Sequence, residues 1–216
     1  MSIIGPPATG DGNPVVFIVD DDARVRDALS SLLASAGREV AVFASATAFL
    51  QAEKPDVPAC LVLDLELPDI HGLELQKTLV EREAPPIVFI TGHGDVSSSV
   101  KAMKAGAVEF LSKPFGDDDL LRAIDAAIEL DRAARVKRSE RLEIAGRYER
   151  LTPREREVFA FVVAGFANKQ TAGELGTSEI TIGVHRAQIM RKMGARSLAD
   201  LVRLADKLGI RPLETP

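Results

Sequence analysis

The chain has 216 residues, 46% hydrophobic and 27% charged, with a single cysteine, no tryptophan and a formal net charge of −5. That composition fits a globular chain of one or two domains. It excludes a membrane-spanning helix, because no apolar run approaches the roughly 18–20 residues a span requires, and an intrachain disulfide framework, because Cys60 has no partner cysteine.

Residues 1–14 read as a disordered N-terminal tail. The tail lacks a basic start followed by an apolar stretch, which points to a cytoplasmic location. From Val15 onward, short β-rich apolar runs alternate with helical stretches. Strands are expected near 15–19, 39–43, 60–63, 87–90 and 108–111, and helices near 23–36, 46–53, 72–83, 96–105 and 117–131. Gly37 and Gly106 fit positions just past helix ends, and Asp95 fits the cap of the helix that follows it. Cys60, inside the run CLVL, reads as a core residue. Five βα units over 15–131 make an α/β domain, a doubly wound (βα)5 parallel sheet with helices on both faces.

Residues 132–150 are rich in charges of both signs and read as an exposed helical linker, continuing the fifth helix as far as Gly146. An all-α pattern of four helices fills 151–211. Thr152-Pro153-Arg154-Glu155 forms a capping box that opens a helix running to about Gly165. A short helix over 168–175 stops at Gly176, a third runs from Ser178 to Met193, and the last starts at Ser197 and stops at Gly209. The charge differs between the halves. Residues 1–130 carry 10 basic against 21 acidic side chains, 131–150 carry 7 against 4, and 151–216 carry 10 against 7. An acidic half suited to a cation or phosphate therefore precedes a mildly basic half that could approach a polyanion.

Five polar positions sit at or just past the ends of apolar strand runs: Asp20, Asp21, Asp64, Thr91 and Lys113. A parallel sheet presents the carboxyl ends of its strands at one edge, so these residues are expected in one pocket. Three carboxylates packed together repel one another by about 4 kcal/mol for each pair at 4 Å in an effective dielectric near 20. A hard divalent cation resolves that repulsion, and a small all-oxygen set that leaves room for water suits Mg2+. Such a site orients a phosphoryl donor and leaves one carboxylate as nucleophile. Asp64, ending the central strand, is the best placed; Lys113 can pair with the incoming group and Thr91 can donate a hydrogen bond to it.

The stretches VDDD, LDLELPDIHG, ITGHGD and AMKAGAVEFLSKPF resemble the receiver domains of bacterial two-component response regulators, most closely the FixJ and StyR type of the NarL/FixJ family. The resemblance covers 15–131 and implies a flavodoxin-like fold. It makes Asp64 the phosphoacceptor, Asp20 and Asp21 the acidic metal pair, and the main-chain carbonyl of Glu66 the third metal ligand. Thr91 and Lys113 become the switch pair and Phe110 the switch aromatic. The donor is a sensor histidine kinase, Lys113-Pro114 is a cis peptide, and the chemistry is self-phosphorylation and autodephosphorylation rather than turnover of a substrate. The Glu66 side chain adds a fourth negative charge near the pocket mouth. His71 and His93 flank the pocket loops without the spacing of a zinc site. A Mg2+ phosphohydrolase working through an aspartyl phosphate is the rival reading from another class.

In the helical half, the pair 168–175 and 178–193 fits a helix-turn-helix with the longer helix second. Ile182, Ile189 and Met193 share an inward stripe. The opposite face offers Gly183, Val184, Ala187, Gln188 and Arg191, where Val184 suits a thymine methyl and Gln188 an adenine. LTPREREVF, NKQTAGELG, TIGVHRAQIMRKM and SLADLV resemble the LuxR-type effector domain. That resemblance makes double-stranded DNA the partner, Gly183, Val184 and Ala187 the base-reading positions, and Lys169, Thr181, His185, Arg186, Arg191 and Lys192 the phosphate or near-backbone candidates. His185 is equally readable as structural, and a helical protein-interaction module is the bland alternative for the whole motif. The last helix carries more apolar surface, from Leu198 to Leu208, than a small bundle buries, which suits a homodimer on DNA. RNA polymerase is a further expected partner. The expected function is phosphorylation-dependent transcription control, against an alternative in which the receiver serves as an interaction module and DNA binding is phosphate-independent.

Overall fold

The computed structural model describes residues 12–80, 84–92 and 96–210. Most of the expected tail, together with His93 and the Asp95 cap, lies outside them. The chain divides into two compact units, Met1–Val136 and Lys137–Pro216.

The first unit is built on a five-stranded sheet in the order β2-β1-β3-β4-β5, every described pairing parallel. The strands are β1 (Val15–Val19), β2 (Glu39–Phe43), β3 (Ala59–Asp64), β4 (Ile87–Thr91) and β5 (Glu109–Ser112), and the helices α1 (Ala23–Ser35), α2 (Ala46–Gln51), α3 (Gly72–Val80), α4 (Val96–Lys104) and α5 (Asp117–Glu149). Side chains alternate across a strand, and the buried residues separate accordingly. Phe17, Val19, Leu61, Leu63 and Phe89 pack with Phe49 of α2, Leu75 of α3 and Ala102 of α4. Val16, Ile18, Cys60, Val62, Val88 and Ile90 pack with Leu29 and Leu33 of α1 and Leu120 and Ile124 of α5. Because β1, β3 and β4 are covered on both faces, their sequences are continuous apolar runs. α2 stops at Gln51, two residues short of expectation, and its first turn is held by Asp69, whose carboxylate accepts hydrogen bonds from the Thr47 amide (2.8 Å) and hydroxyl (2.7 Å).

α5 departs from the expected pattern. It does not stop at Gly146 but runs unbroken to Glu149, and the expected linker is not exposed throughout. Asp131 is buried and accepts hydrogen bonds from the Ala59 amide at 2.9 Å and from Arg135 Nε at 3.0 Å, fastening this part of the helix to the start of β3. Beyond the division after Val136, Ile144 is 3% exposed and joins the core of the second unit. Tyr148 meets Phe159 edge-on at 5.3 Å. That packing offsets the roughly 1 kcal/mol by which a mid-helix glycine weakens a helix relative to alanine.

In the second unit, α6 (Pro153–Val163), α7 (Asn168–Leu175), α8 (Glu179–Met193) and α9 (Leu198–Lys207) enclose Val158, Phe159, Val162, Ile182, Ile189, Met193 and Leu201. The Thr152/Glu155 capping box is formed. Glycines in the left-handed conformation bound α8: Gly176 at φ 62° ends α7, and Gly194 at φ 70° ends α8 itself.

Candidate functional site

Asp20 follows β1, Asp64 ends β3, Thr91 ends β4 and Lys113 follows β5, so the parallel order carries all four to one edge of the sheet. Asp20 is fully buried and its carboxylate is committed on both sides: one oxygen accepts from the Asp22 amide at 2.9 Å, the other from Lys113 Nζ at 2.8 Å. Asp64 is 7% exposed; it accepts from the Glu66 amide and from Lys113 Nζ, both at 3.3 Å. Asp21 is exposed, yet one oxygen from each of Asp20, Asp21 and Asp64 falls within 4.8 Å of the other two. Thr91 is fully buried, and its carbonyl accepts from the Lys113 amide at 2.7 Å, which ties the strand end to the Lys113-Pro114 cis peptide.

The electrostatics follow from this placement. Burial raises the Asp64 pKa above the ordinary value, Lys113 pulls it down, and Asp20 pushes it up again, with the net shift upward. For Lys113 burial acts to lower the pKa, but the hydrogen bond to Asp20 and the charges of Asp64 and Asp20 outweigh it and hold the ammonium protonated. Three carboxylates against one ammonium leave excess negative charge, and the donor set, all hard oxygen and partly open to solvent through Asp21, fits a small divalent cation.

The loop from β3 to α3 carries a feature without a signal in the sequence reading. The Gly72 amide donates to the Leu65 carbonyl at 2.8 Å, and a Cβ at Gly72 would stand 2.8 Å from the Asp64 carbonyl and 3.0 Å from the Phe89 ring. Only a residue without a side chain lets this loop close against the Asp64 backbone. Glu66 is exposed, as is His71. Phe110 is half-buried, its ring 6.2 Å from that of Phe89, on the face of the sheet covered by α2, α3 and α4. On α4, Val96, Val100 and Met103 form an exposed apolar stripe at helical spacing.

In the helical unit, α8 turns Ile182, Ile189 and Met193 into the core and leaves Thr181, Val184, Ala187 and Arg191 exposed, with Gly183, His185 and Gln188 partly so. Arg191 donates to the Gln188 side chain at 2.5 Å, and the Thr181 amide donates to Ser178 Oγ at 3.1 Å in the helix cap. Lys169 stands exposed on α7. Arg186 and Lys192 are placed differently. Arg186 is half-buried and donates to the Phe166 carbonyl at 3.2 Å, while Lys192 lies 2.5 Å from the buried Glu155 carboxylate. Leu198 and Val202 of α9 remain 41% and 37% exposed. No described helix is long and apolar enough to cross a membrane.

Comparison with known proteins bears on both units. Residues 16–125 match the model of the response regulator receiver domain, and residues 149–205 that of the bacterial regulatory proteins of the luxR family. The chain is 49% identical over 197 residues to nodulation protein W of Bradyrhizobium diazoefficiens, covering 91% of this chain and 87% of that protein. It is 45% identical over 196 residues to the transcriptional regulatory protein FixJ of the same organism, covering 90% of this chain and 96% of the relative. Among solved structures, that of the response regulator StyR is 47% identical, with a TM-score of 0.76 over 91% of this chain and 100% of the other.

Proposed function

Because the chain belongs to the two-component response regulators that join a receiver domain to a LuxR-type DNA-binding domain, we propose that a phosphoryl group accepted on Asp64 drives it to dimerise and to bind its promoters. It is a transcription regulator rather than an enzyme, and its partners are a sensor histidine kinase and double-stranded DNA. The observation that carries the proposal is the bridge of Lys113 Nζ between Asp20 and Asp64, set in a cluster of three carboxylates. Asp20 has both oxygens committed and no exposed surface, and Asp21 faces solvent, so Asp64 is the carboxylate placed to meet a donor at the sheet edge.

In the proposed reaction an Asp64 oxygen attacks the phosphorus of a phosphohistidine. The P–N bond breaks with its electron pair going to the imidazole, which leaves neutral once its other nitrogen carries a proton from water, and a P–O bond forms on Asp64. Mg2+, held by the carboxylates of Asp20, Asp21 and Asp64 and the carbonyl of Glu66, would supply the positive charge that neutralises this cluster and the phosphoryl oxygens. Lys113 is a switchable counter-charge: it exchanges its Asp64 contact for a phosphoryl oxygen while keeping Asp20. Thr91 donates its hydroxyl to a second phosphoryl oxygen, and Phe110 follows by packing inward against Phe89. That movement alters the surface of α4 and β5, where Val96, Val100 and Met103 provide the apolar stripe through which receivers pair. Leu198 and Val202 provide the corresponding surface in the effector unit.

On DNA, α8 enters the major groove with Gly183, Val184, Ala187 and Gln188 toward the bases, and Lys169, Thr181, His185 and Arg191 beside the backbone. Arg186 and Lys192 hold the helix against α6 and its following turn instead, since their charges are already engaged there. The regulator acts in the cytoplasm and, once bound, contacts RNA polymerase.

Sedimentation and DNA titration with Mg2+, before and after a small phosphoryl donor, test the proposal, with Asp64→Asn as control. Donor-dependent dimerisation and at least tenfold tighter DNA binding, both lost in Asp64→Asn, are expected. Equal DNA binding in every sample would replace the phosphoswitch with phosphate-independent regulation.

A further inference from the structure

The outer face of α8 carries a residue that none of the assigned DNA-reading positions includes. Ile180 is 81% exposed, and Val184, one turn on, is 56% exposed. At 100° per residue, positions 180, 184, 187 and 191 fall on one line along the helix. Ile180, Val184 and Ala187 therefore make an apolar ridge that ends in Arg191, directly opposite the buried Ile182, Ile189 and Met193. The ridge is not surplus core, because that opposite face already closes the unit.

Gly183 lies beside the ridge, and nothing among the described residues requires a glycine there. It has no left-handed conformation, and the nearest atom to an added Cβ is Asn168 Nδ2 at 3.8 Å, an ordinary contact. A mid-helix glycine weakens a helix, and one that the fold does not require leaves this side of the helix open to close approach from outside.

Resting on the reading of α8 as the helix that enters the major groove, we propose that Ile180, together with Val184 and Ala187, reads the C5-methyl groups of thymines, making Ile180 a specificity-determining residue. None of the three side chains can form a hydrogen bond, so none can tell bases apart by donors and acceptors. The one apolar group that a base edge presents in the major groove is the thymine methyl. From 180 to 187 the helix rises about 10 Å, which matches roughly three base steps of ~3.4 Å. The half-site should accordingly carry a short run of thymines on one strand, with Gly183 admitting the sugar-phosphate edge or a neighbouring base. Lys169, exposed on α7, and Arg191 at the end of the ridge supply positive charge toward the backbone.

The test uses the full-length protein with Mg2+ and a small phosphoryl donor. Preferred duplexes are selected from a random pool, and affinities are then compared between each selected duplex and copies in which single thymines are replaced by deoxyuridine, which removes the methyl and nothing else. The expected result is a loss of about fourfold for the native protein at two or three neighbouring thymines. Ile180→Ala should bind the thymine duplex more weakly by a similar factor and be indifferent to deoxyuridine at one of those positions. Its low-salt binding to unselected DNA should stay unchanged, which establishes that it is folded. Equal affinity of the native protein for thymine and deoxyuridine duplexes would overturn the proposal. So would full retention of discrimination by Ile180→Ala, and in that case weakened transcription by this variant would assign Ile180 to a protein contact. If no duplex is enriched and none is bound by either protein, the DNA-binding reading fails and the proposal goes with it.

Discussion

Glu155 is a buried carboxylate with two uses: it accepts from the Thr152 amide at 2.7 Å, which completes the cap of α6, and it neutralises Lys192. Burial alone would raise its pKa, but the bond to Lys192 and those to Thr152 outweigh burial and lower it from an ordinary value near 4.5. A carboxylate with a lower pKa in the folded than in the unfolded state contributes stability that is complete above the unfolded value and is lost as pH falls through the folded one. The melting temperature of the helical unit should therefore hold down to about pH 5 and fall below that, as Glu155 takes up its proton around the ordinary value of 4.5 in the unfolded chain and only at lower pH in the folded one. In Glu155→Gln the acid-side fall should be shallower, and stability at pH 7 should drop by about 1–3 kcal/mol, because Lys192 then lacks a partner and the cap is weakened. Calorimetry of the two proteins across pH 3.5–7 checks both. The same pair shows a limit of reading residues from sequence. The type and helical position of Lys192 suit a phosphate contact, but its partner is 37 residues earlier in the chain and only the fold brings them together. Asp20, Asp21, Asp64, Thr91 and Lys113 were legible because a strand end in a parallel sheet has a defined direction; Gly72 was not, since its requirement comes from the Asp64 backbone, eight residues away.

At the scale of elements, α8 and α5 make opposite use of glycine. In α5 the packing of Ile144 and Tyr148 carries the helix past Gly146, and this is why a boundary drawn from composition fell short. Charge-rich segments such as 132–150 look solvated when their apolar residues are counted; what the count misses is that Ile144 and Tyr148 are spaced one turn apart and meet one core. In α8, Gly183 has room for a methyl. Gly183→Ala should raise the stability of the helical unit by about 0.5–1 kcal/mol while weakening binding to a selected duplex severalfold, measured by denaturant unfolding and by titration of the same protein. A gain in stability with unchanged DNA affinity would mean that the glycine serves no close approach.

At the scale of the whole molecule, each unit closes its own core and keeps apolar surface uncovered, Val96, Val100 and Met103 in the first and Leu198 and Val202 in the second. Scattered exposed apolar residues need no explanation, but stripes at helical spacing do. Pairing through the two surfaces should be separable. Replacing Leu198 and Val202 together by Glu should leave donor-driven association of the receiver intact and reduce affinity for a two-half-site duplex by about tenfold or more, with little change for a single half-site; sedimentation and titration of the phosphorylated protein measure each part. The single thiol of the chain has a practical consequence. Cys60 is buried in β3, and burial together with the charge of Asp131 pushes its pKa far above the ordinary range, so it is closed to alkylating reagents in the folded protein. A cysteine introduced on any exposed position would carry a fluorophore or spin label alone, and the native chain serves without alteration as the unlabelled background for distance measurements.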